Sequence, residues 1–289
     1  MKAMGKSRWM RYEESSDEKK GMAIFLVVVF IFGCFPQGIF LGGASAEESG
    51  NSNGTYQGNT GFEPTYYYIG NVVNAANGNL FFSTKDVSIR ARGFDIEIVR
   101  SYNSLSCGKD SPFGYGWTFN YNTYLVEKGN VTLFDGDGSA HTFTPIGDGD
   151  YTSPPGIHSK LKKNPGASFT LRFKDGSSYN FDENGVLQNI TDKNGNRLTF
   201  RYTDGKLTLV EDDSGLNLTF SYDGNRISNI VDPLSRQITY EYDANGNLIK
   251  ITDAMGNSTL YSYFDDHKLK SIVDREGRML TFSYLEFIL

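Results

Sequence analysis

Cysteine is nearly missing from this chain: Cys34 and Cys107 are the only two in 289 residues, and Cys34 falls in an apolar N-terminal stretch. No disulfide framework can be built from them. Histidine is almost as scarce. His141, His158 and His267 stand far apart, and none falls in a metal-binding spacing. Beyond the N-terminus no run of three turns carries a 3.6-residue apolar period, so long amphipathic helices are not expected. Neither a phosphate-binding glycine loop nor a nucleophile elbow is present. Positive charge is also short. The formal charge is −6, and residues 1–46 hold six Lys/Arg and four Asp/Glu, leaving 22 against 30 in the remainder. An acidic body of this kind argues against a nucleic-acid partner.

Glycine and aromatics fill the chain instead, with 32 Gly, 18 Tyr and 21 Phe, which points to an all-β class rich in turns. The C-terminal part repeats. Phe181, Tyr202, Tyr222, Tyr242, Tyr263 and Tyr284 follow one another at 20 or 21 residues, and Asp192, Asp212, Asp232, Asp253 and Asp274 keep the same beat midway between them. Two interleaved series with one period mark an array of at least five units.

Each unit holds two short runs and two turns. The first run alternates apolar and polar residues up to the tyrosine, as in Leu198, Phe200 and Tyr202 or Ile238, Tyr240 and Tyr242, which is the pattern of a half-buried strand. The turns carry Asp followed by Gly or Asn, as in Asp192 to Gly195 and Asp243 to Gly246. Asp caps its own turn and Gly accepts positive φ, so the expectation is a ribbon of β-hairpins. The second run places its apolar residues three apart (Leu207 and Val210, Ile227 and Ile230), which predicts a bulge or a change of face. Two turns lack their glycine: Asp232 to Ser235, and Asp265 to Lys268.

Repeats of Tyr-Asp-x-x-Gly with Ile-Thr-Asp-x-x-Gly-Asn resemble the YD repeats of the Rhs family, and Tyr242 to Asn257 fits that pattern closely. The likeness covers Phe181 to Tyr284. It implies a β-ribbon that spirals into a hollow shell, as in bacterial polymorphic toxins, insecticidal toxin-complex subunits and teneurins. Asn71 to Val87, Gly93 to Ser104 and Phe113 to Asn120 resemble the module that precedes the repeats in secreted members. Its fingerprint is Gly-Asn (Gly78, Asn79), Arg-x-Tyr-Asn-Ser (Arg100 to Ser104) and Phe-Gly-x-Gly-Trp (Phe113 to Trp117). Arg100 is expected to have a structural carboxylate or carbonyl partner.

The organisation expected is residues 1–46 as signal peptide or membrane anchor, 47–64 as linker, 65–165 as the β-rich pre-repeat module and 166–289 as YD repeats. Met22 to Phe35 is nearly all apolar, follows Lys19-Lys20 and leads to Ala44-Ser45-Ala46, the pattern of an export signal cleaved after Ala46; the alternative is an anchor over residues 22–43. Either route places the body outside the cytoplasm, in the periplasm, at the cell surface or secreted. Tyr124 to Phe143 reads as a hairpin across Asp135 to Ser139, and Gly147 to Gly166 as a loop. The last strand, Met279 to Tyr284, is expected to leave an unpaired edge.

No catalytic, cofactor-binding or metal-binding residue is assigned. Asp135 to Ser139 has the start of a calcium loop without its glycine and glutamate, and reads as a turn. Cys107 has no histidine beside it. The expectation is an all-β, non-enzymatic structural or interaction protein, a partial Rhs shell without the family's self-cleaving segment or C-terminal toxin. It needs no cofactor. Its partners would be further Rhs repeats or a toxin domain on another chain, and it meets a membrane only through the N-terminal segment. The alternative is a cell-surface module that binds a glycan or receptor through its tyrosines.

Overall fold

The computed structural model describes residues 72–74 and 77–285, together with the backbone of strands Phe25–Phe30 and Tyr68–Ile69. The remainder of residues 1–46 and the expected linker 47–64 lie outside the described residues. Among the described residues no α-helix is present, and no helix is long and apolar enough to cross a membrane.

From Tyr124 to Leu285 the chain is one antiparallel ribbon in which each of 17 strands bonds to the next in sequence. Pairing runs through residues 165 and 166 without a break, because Lys160–Lys163 pairs with Phe169–Arg172. The expected loop from Gly147 to Gly166 therefore contains two strands, Asp150–Thr152 and Lys160–Lys163. The second holds a single apolar residue, Leu161, which is buried between exposed lysines; one apolar position was too little pattern to read. The ribbon also curls back on itself. Leu125 N–H donates to the Gly185 carbonyl at 2.8 Å, and Tyr124 bridges Val186.

The bulge expected in the second run is present in every unit. Tyr202 pairs with Leu207 while Arg201 pairs with Leu209, so Thr208 is the extra residue. The same shift leaves Gln188, Ser228, Ile249 and Lys270 as the extra residues in the other units. A bulge restores the face after an odd step. Leu207 and Val210, three apart, are accordingly both buried.

The aspartates cap their turns in one manner. In Asp192, Asp212, Asp232, Asp253 and Asp274, Oδ1 accepts the N–H groups two and four residues on, at 2.8–2.9 Å. The side chain of Asn196 holds the Asp192 carboxyl below the ordinary range. In the other four burial pulls upward, but the hydrogen bonds outweigh it and the carboxyls are again lowered. The position three beyond each Asp lies in the left-handed region, as at Gly256 with φ 84°. Where glycine is missing, Ser235 adopts φ 61° anyway. The turn expected at Asp265 starts one residue earlier. Phe264 takes the place of the Asp, its N–H donating to the Lys268 carbonyl at 2.8 Å, and His267 takes the glycine place with φ 65°. The bulged strand fixes this frame, since Tyr263 must pair with Leu269.

The expected unpaired edge is also corrected. Strand Met279–Leu285 carries Phe25–Phe30 on its outer side in parallel register, from Phe25 opposite Leu280 to Phe30 opposite Leu285. A run of Leu and Val suits a strand that satisfies open edge groups.

Preceding the ribbon, strands Phe81–Ile89, Ile96–Asn103 and Trp117–Phe119 form a three-stranded sheet. Its buried residues join the inner face of the ribbon in one continuous core that runs from Val73 to Phe282.

Two outcomes test this account. Ser235→Gly should raise stability by about 1 kcal/mol and Gly256→Val should lower it by more than that, because non-glycine residues are strained at positive φ; thermal unfolding reads both, and equal melting temperatures would contradict the turn assignment. The five capping carboxylates are lowered in the fold, so the unfolded chain binds more protons at acid pH. Their stabilisation is complete above the ordinary carboxylate pKa of about 4 and disappears as pH falls below it, which a series of urea midpoints from pH 6 to 2 would show.

Candidate functional site: the seam between module and ribbon

Tyr102, Gly114, Tyr115 and Trp117 of the module's fingerprint reach the ribbon, and Asp86, outside the fingerprint, joins them. Asp86 is the extra residue of a bulge in the first module hairpin: Lys85 pairs with Val99, and Val87 with Ile98. The bulge brings its carboxylate to Arg100, whose Nε and Nη2 both donate to it, the latter at 2.8 Å. The two side chains are 1% and 5% exposed. The ribbon supplies the third member, since Tyr240 O–H donates to the same carboxylate at 2.9 Å. The guanidinium also lies 4.6 Å from the Trp117 ring centre, within an aromatic surround completed by Phe113, Tyr240 and Tyr261. Burial pulls the Arg100 pKa down, but the Asp86 carboxylate more than offsets this and holds it well above its usual value. Burial first, and then the Asp86 charge, hold Tyr240 well above the ordinary phenol range.

Further contacts continue the seam. Trp117 Nε1 donates to Tyr263 Oη at 2.9 Å, and Tyr263 donates onward to the Leu248 carbonyl at 2.8 Å. Tyr102 Oη accepts the Leu269 N–H at 2.7 Å. His267, held at positive φ, stacks on Tyr115 at 3.9 Å, and its Nδ1 donates to Asn247 Oδ1 at 2.7 Å. Gly114 passes so close to the ribbon that an added Cβ would stand 2.7 Å from the Gly246 carbonyl oxygen. The module's own frame is a buried network. Asn79 Nδ2 donates to Asn103 Oδ1 at 3.1 Å, and Ser104 Oγ accepts the Leu80 N–H at 2.8 Å.

The repeat tyrosines do related work inside the ribbon. The hydroxyls of Tyr222, Tyr242, Tyr263 and Tyr284 donate to the carbonyls of Leu207, Ile227, Leu248 and Leu269, always 15 residues earlier, at 2.8–3.0 Å. Tyr202 makes no such bond. It lines instead a cavity of about 450 Å³ between the module and the first full repeat, walled also by Tyr121, Tyr124, Leu187, Lys206 and Tyr222.

The residues weighed from sequence are not brought together. Among the described residues no group of three or more His, Cys, Asp or Glu could hold a metal ion. Asp135 caps its own hairpin, accepting the Gly136 N–H at 2.7 Å, and Asp137 Oδ1 accepts the Ser139 N–H at 2.8 Å. Burial pushes the Cys107 thiol up, away from the thiolate. Arg100 has its carboxylate, as expected. Asp86 and His267 carried the seam unseen. Asp86 offered no local signal, because its partner lies across a bulge; His267 offered one, standing where the other units have glycine.

The class is thus an all-β protein in which a small module is docked on a ribbon of capped hairpins. Residues 170–287 match the family described as Teneurin YD-shell, and residues 70–143 the family described as Domain of unknown function (DUF6531). The chain belongs to the Rhs/YD-repeat family. It is 45% identical over 194 residues, 66% of its length, to a protein of Bacillus subtilis (strain 168) named tRNA nuclease WapA. A Bacillus spizizenii protein named tRNA3(Ser)-specific nuclease WapA is 33% identical over 134 residues, 46% of the chain. The chain spans 8% and 6% of the length of these relatives. Among solved structures, the TcdB2-TccC3-Cdc42 complex aligns at TM-score 0.29 and 14% identity, over 69% of this chain and 12% of that one.

The relatives correct the expectation of a non-enzymatic protein without nucleic-acid dealings: they are named as nucleases acting on tRNA. That expectation was drawn from the charge and motifs of a stretch spanning less than a tenth of such proteins, and these say nothing of the rest.

Replacing Asp86 with Asn would leave the Arg100 charge buried with a neutral partner. Loss of stability of about 3–5 kcal/mol is expected, against about 1 kcal/mol for Tyr222→Phe, which removes a single hydrogen bond to the Leu207 carbonyl; urea unfolding measures both.

Proposed function

We propose that this stretch is the opening wall of a YD shell, with the module as the plug that fixes its first turns, in a toxin polypeptide of the tRNA-cleaving kind named for the Bacillus relatives. The observation that supports this reading most is the seam itself. Asp86, Tyr102 and Trp117 of one small module bond to Tyr240, Leu269 and Tyr263, on three different strands of the ribbon. A ribbon held by one plug at several successive hairpins has its curvature set, as a shell wall requires. The apolar run Met22 to Phe35 and Ala44-Ser45-Ala46 support delivery outside the cytoplasm, and cleavage after Ala46 would then uncover the edge of Met279–Leu285 that Phe25–Phe30 pairs with.

Two measurements test the reading. Limited proteolysis of the folded chain should spare residues 78–121, and Gly114→Val should open them to cleavage while leaving Arg197 to Tyr263 protected. Cleavage of the module in the parent protein at the rate seen in the variant would remove the plug. Incubating the polypeptide that carries this stretch with bacterial tRNA should yield products cut at a defined position; intact tRNA would overturn the toxin assignment and leave the wall.

A further inference from the structure

We propose that Asn194 is a site of spontaneous modification: its side-chain amide is lost through a succinimide, and the isoaspartate left behind disturbs the turn on which the module's loop of residues 90–95 rests. Four Asn-Gly pairs lie among the described residues: Asn77-Gly78, Asn184-Gly185, Asn194-Gly195 and Asn245-Gly246. Such a pair is the reactive one because glycine has no side chain to keep its nitrogen away from the preceding amide. In the reaction the Gly195 nitrogen gives up its proton and bonds to Asn194 Cγ. The side-chain nitrogen takes a proton and leaves as ammonia, which closes the ring. Water then opens it. Opening at the Asn194 main-chain carbonyl leaves the chain running through Cγ, one methylene longer, with a new carboxylate on the Cα. Opening on the other side leaves aspartate. Water is the only co-reactant.

The surroundings single out one pair. In the ribbon turns the N–H groups of Gly185, Gly195 and Gly246 alike donate to the carbonyl of the capping Asp, at 3.0–3.1 Å. The nitrogen can react only when its turn opens, and the turns differ in what holds them shut. Gly185 is buried, and an added Cβ would collide with the Leu125 carbonyl. Gly246 is half-buried, with Arg226 Nη2 2.6 Å and the module's Tyr115 ring 3.4 Å from the place of a Cβ. Gly78 is buried and donates to the Asn74 carbonyl at 2.8 Å, while Asn77 Oδ1 accepts the Asn79 N–H at 3.0 Å. Asn194 and Gly195 are both exposed, and nothing stands within 4 Å of the place of a Cβ on Gly195. Local opening costs least where the fewest contacts are lost. The effect reaches the seam. Asp192 Oδ1 accepts both the Asn194 and the Asn196 N–H. Gly93 of the module packs so closely on this turn that an added Cβ would stand 2.5 Å from Asn196 Cβ and 2.8 Å from Asp192 Oδ2. An extra methylene between Asn194 and Gly195 lengthens the turn, moves Asn196 and takes the seat from under Gly93.

The test is incubation of the 289-residue chain at mildly alkaline pH and body temperature, with peptide mapping by mass spectrometry over weeks and isoaspartate methyltransferase labelling to mark the isomer. Asn194 is expected to convert several-fold faster than Asn77, Asn184 and Asn245. In urea, where the fold no longer distinguishes them, the four should convert at similar rates. Brief trypsin treatment then follows the seat: cutting at Arg90 and Arg92 should rise several-fold in the aged chain, and the aged Asn194→Gln chain, whose longer side chain closes the ring far more slowly, should keep the rate of fresh protein. The idea is overturned if Asn184 or Asn245 converts as fast as Asn194 in the folded chain, if Asn194 stays unchanged, or if aged and fresh chains are cut equally at Arg92. Each result is independent of whether the ribbon serves as a toxin wall.

Discussion

A guanidinium cannot be taken out of water without a partner, and Arg100 is taken out almost completely. Its carboxylate is positioned by a bulge within the module, but the remaining acceptor capacity of that carboxylate is filled by Tyr240 of the ribbon. Neither part holds a finished charge cluster by itself. Docking is therefore set by electrostatic completion as well as by apolar contact: one repeat earlier Phe220 stands in the place of Tyr240 and has no hydroxyl to give Asp86.

The ribbon multiplies a small set of local devices. Asp caps one turn, a bulge corrects the face, and a tyrosine ties each hairpin to the one before it. Each is worth about 1 kcal/mol or less in isolation, and a ribbon acquires rigidity by repeating them. Relatives named as tRNA nucleases carry the same stretch as a small share of a much longer chain. A ribbon stiffened in this way and docked on a small module suits a structural wall.

The repeat was readable because its devices are local. The alternation in Leu198, Phe200 and Tyr202, the Asp-to-Gly turns and the three-residue step from Leu207 to Val210 each declare themselves within a few residues. The strand at Lys160–Lys163 was not readable, since one buried leucine between lysines forms no pattern until Phe169–Arg172 pairs with it. The turn at Phe264 to His267 was misframed by a pair of aspartates; register against Leu269 overrode that local preference. The edge at Met279–Leu285 found a partner more than 200 residues earlier, which no local reading could supply.

By itself, the sequence determined the secondary structure class, the period, the caps and the bulges, because each depends on neighbours along the chain. The tertiary structure alone decided what the fingerprint residues are for. Tyr102 and Trp117 bond to partners 167 and 146 residues away, and Arg100 is completed through Asp86 by Tyr240, 154 residues beyond that aspartate; contacts at such separations leave no trace in spacing. The cavity beside Tyr202 is of the same kind, since a missing hydrogen bond becomes visible only when the four bonds that are made have been placed in space.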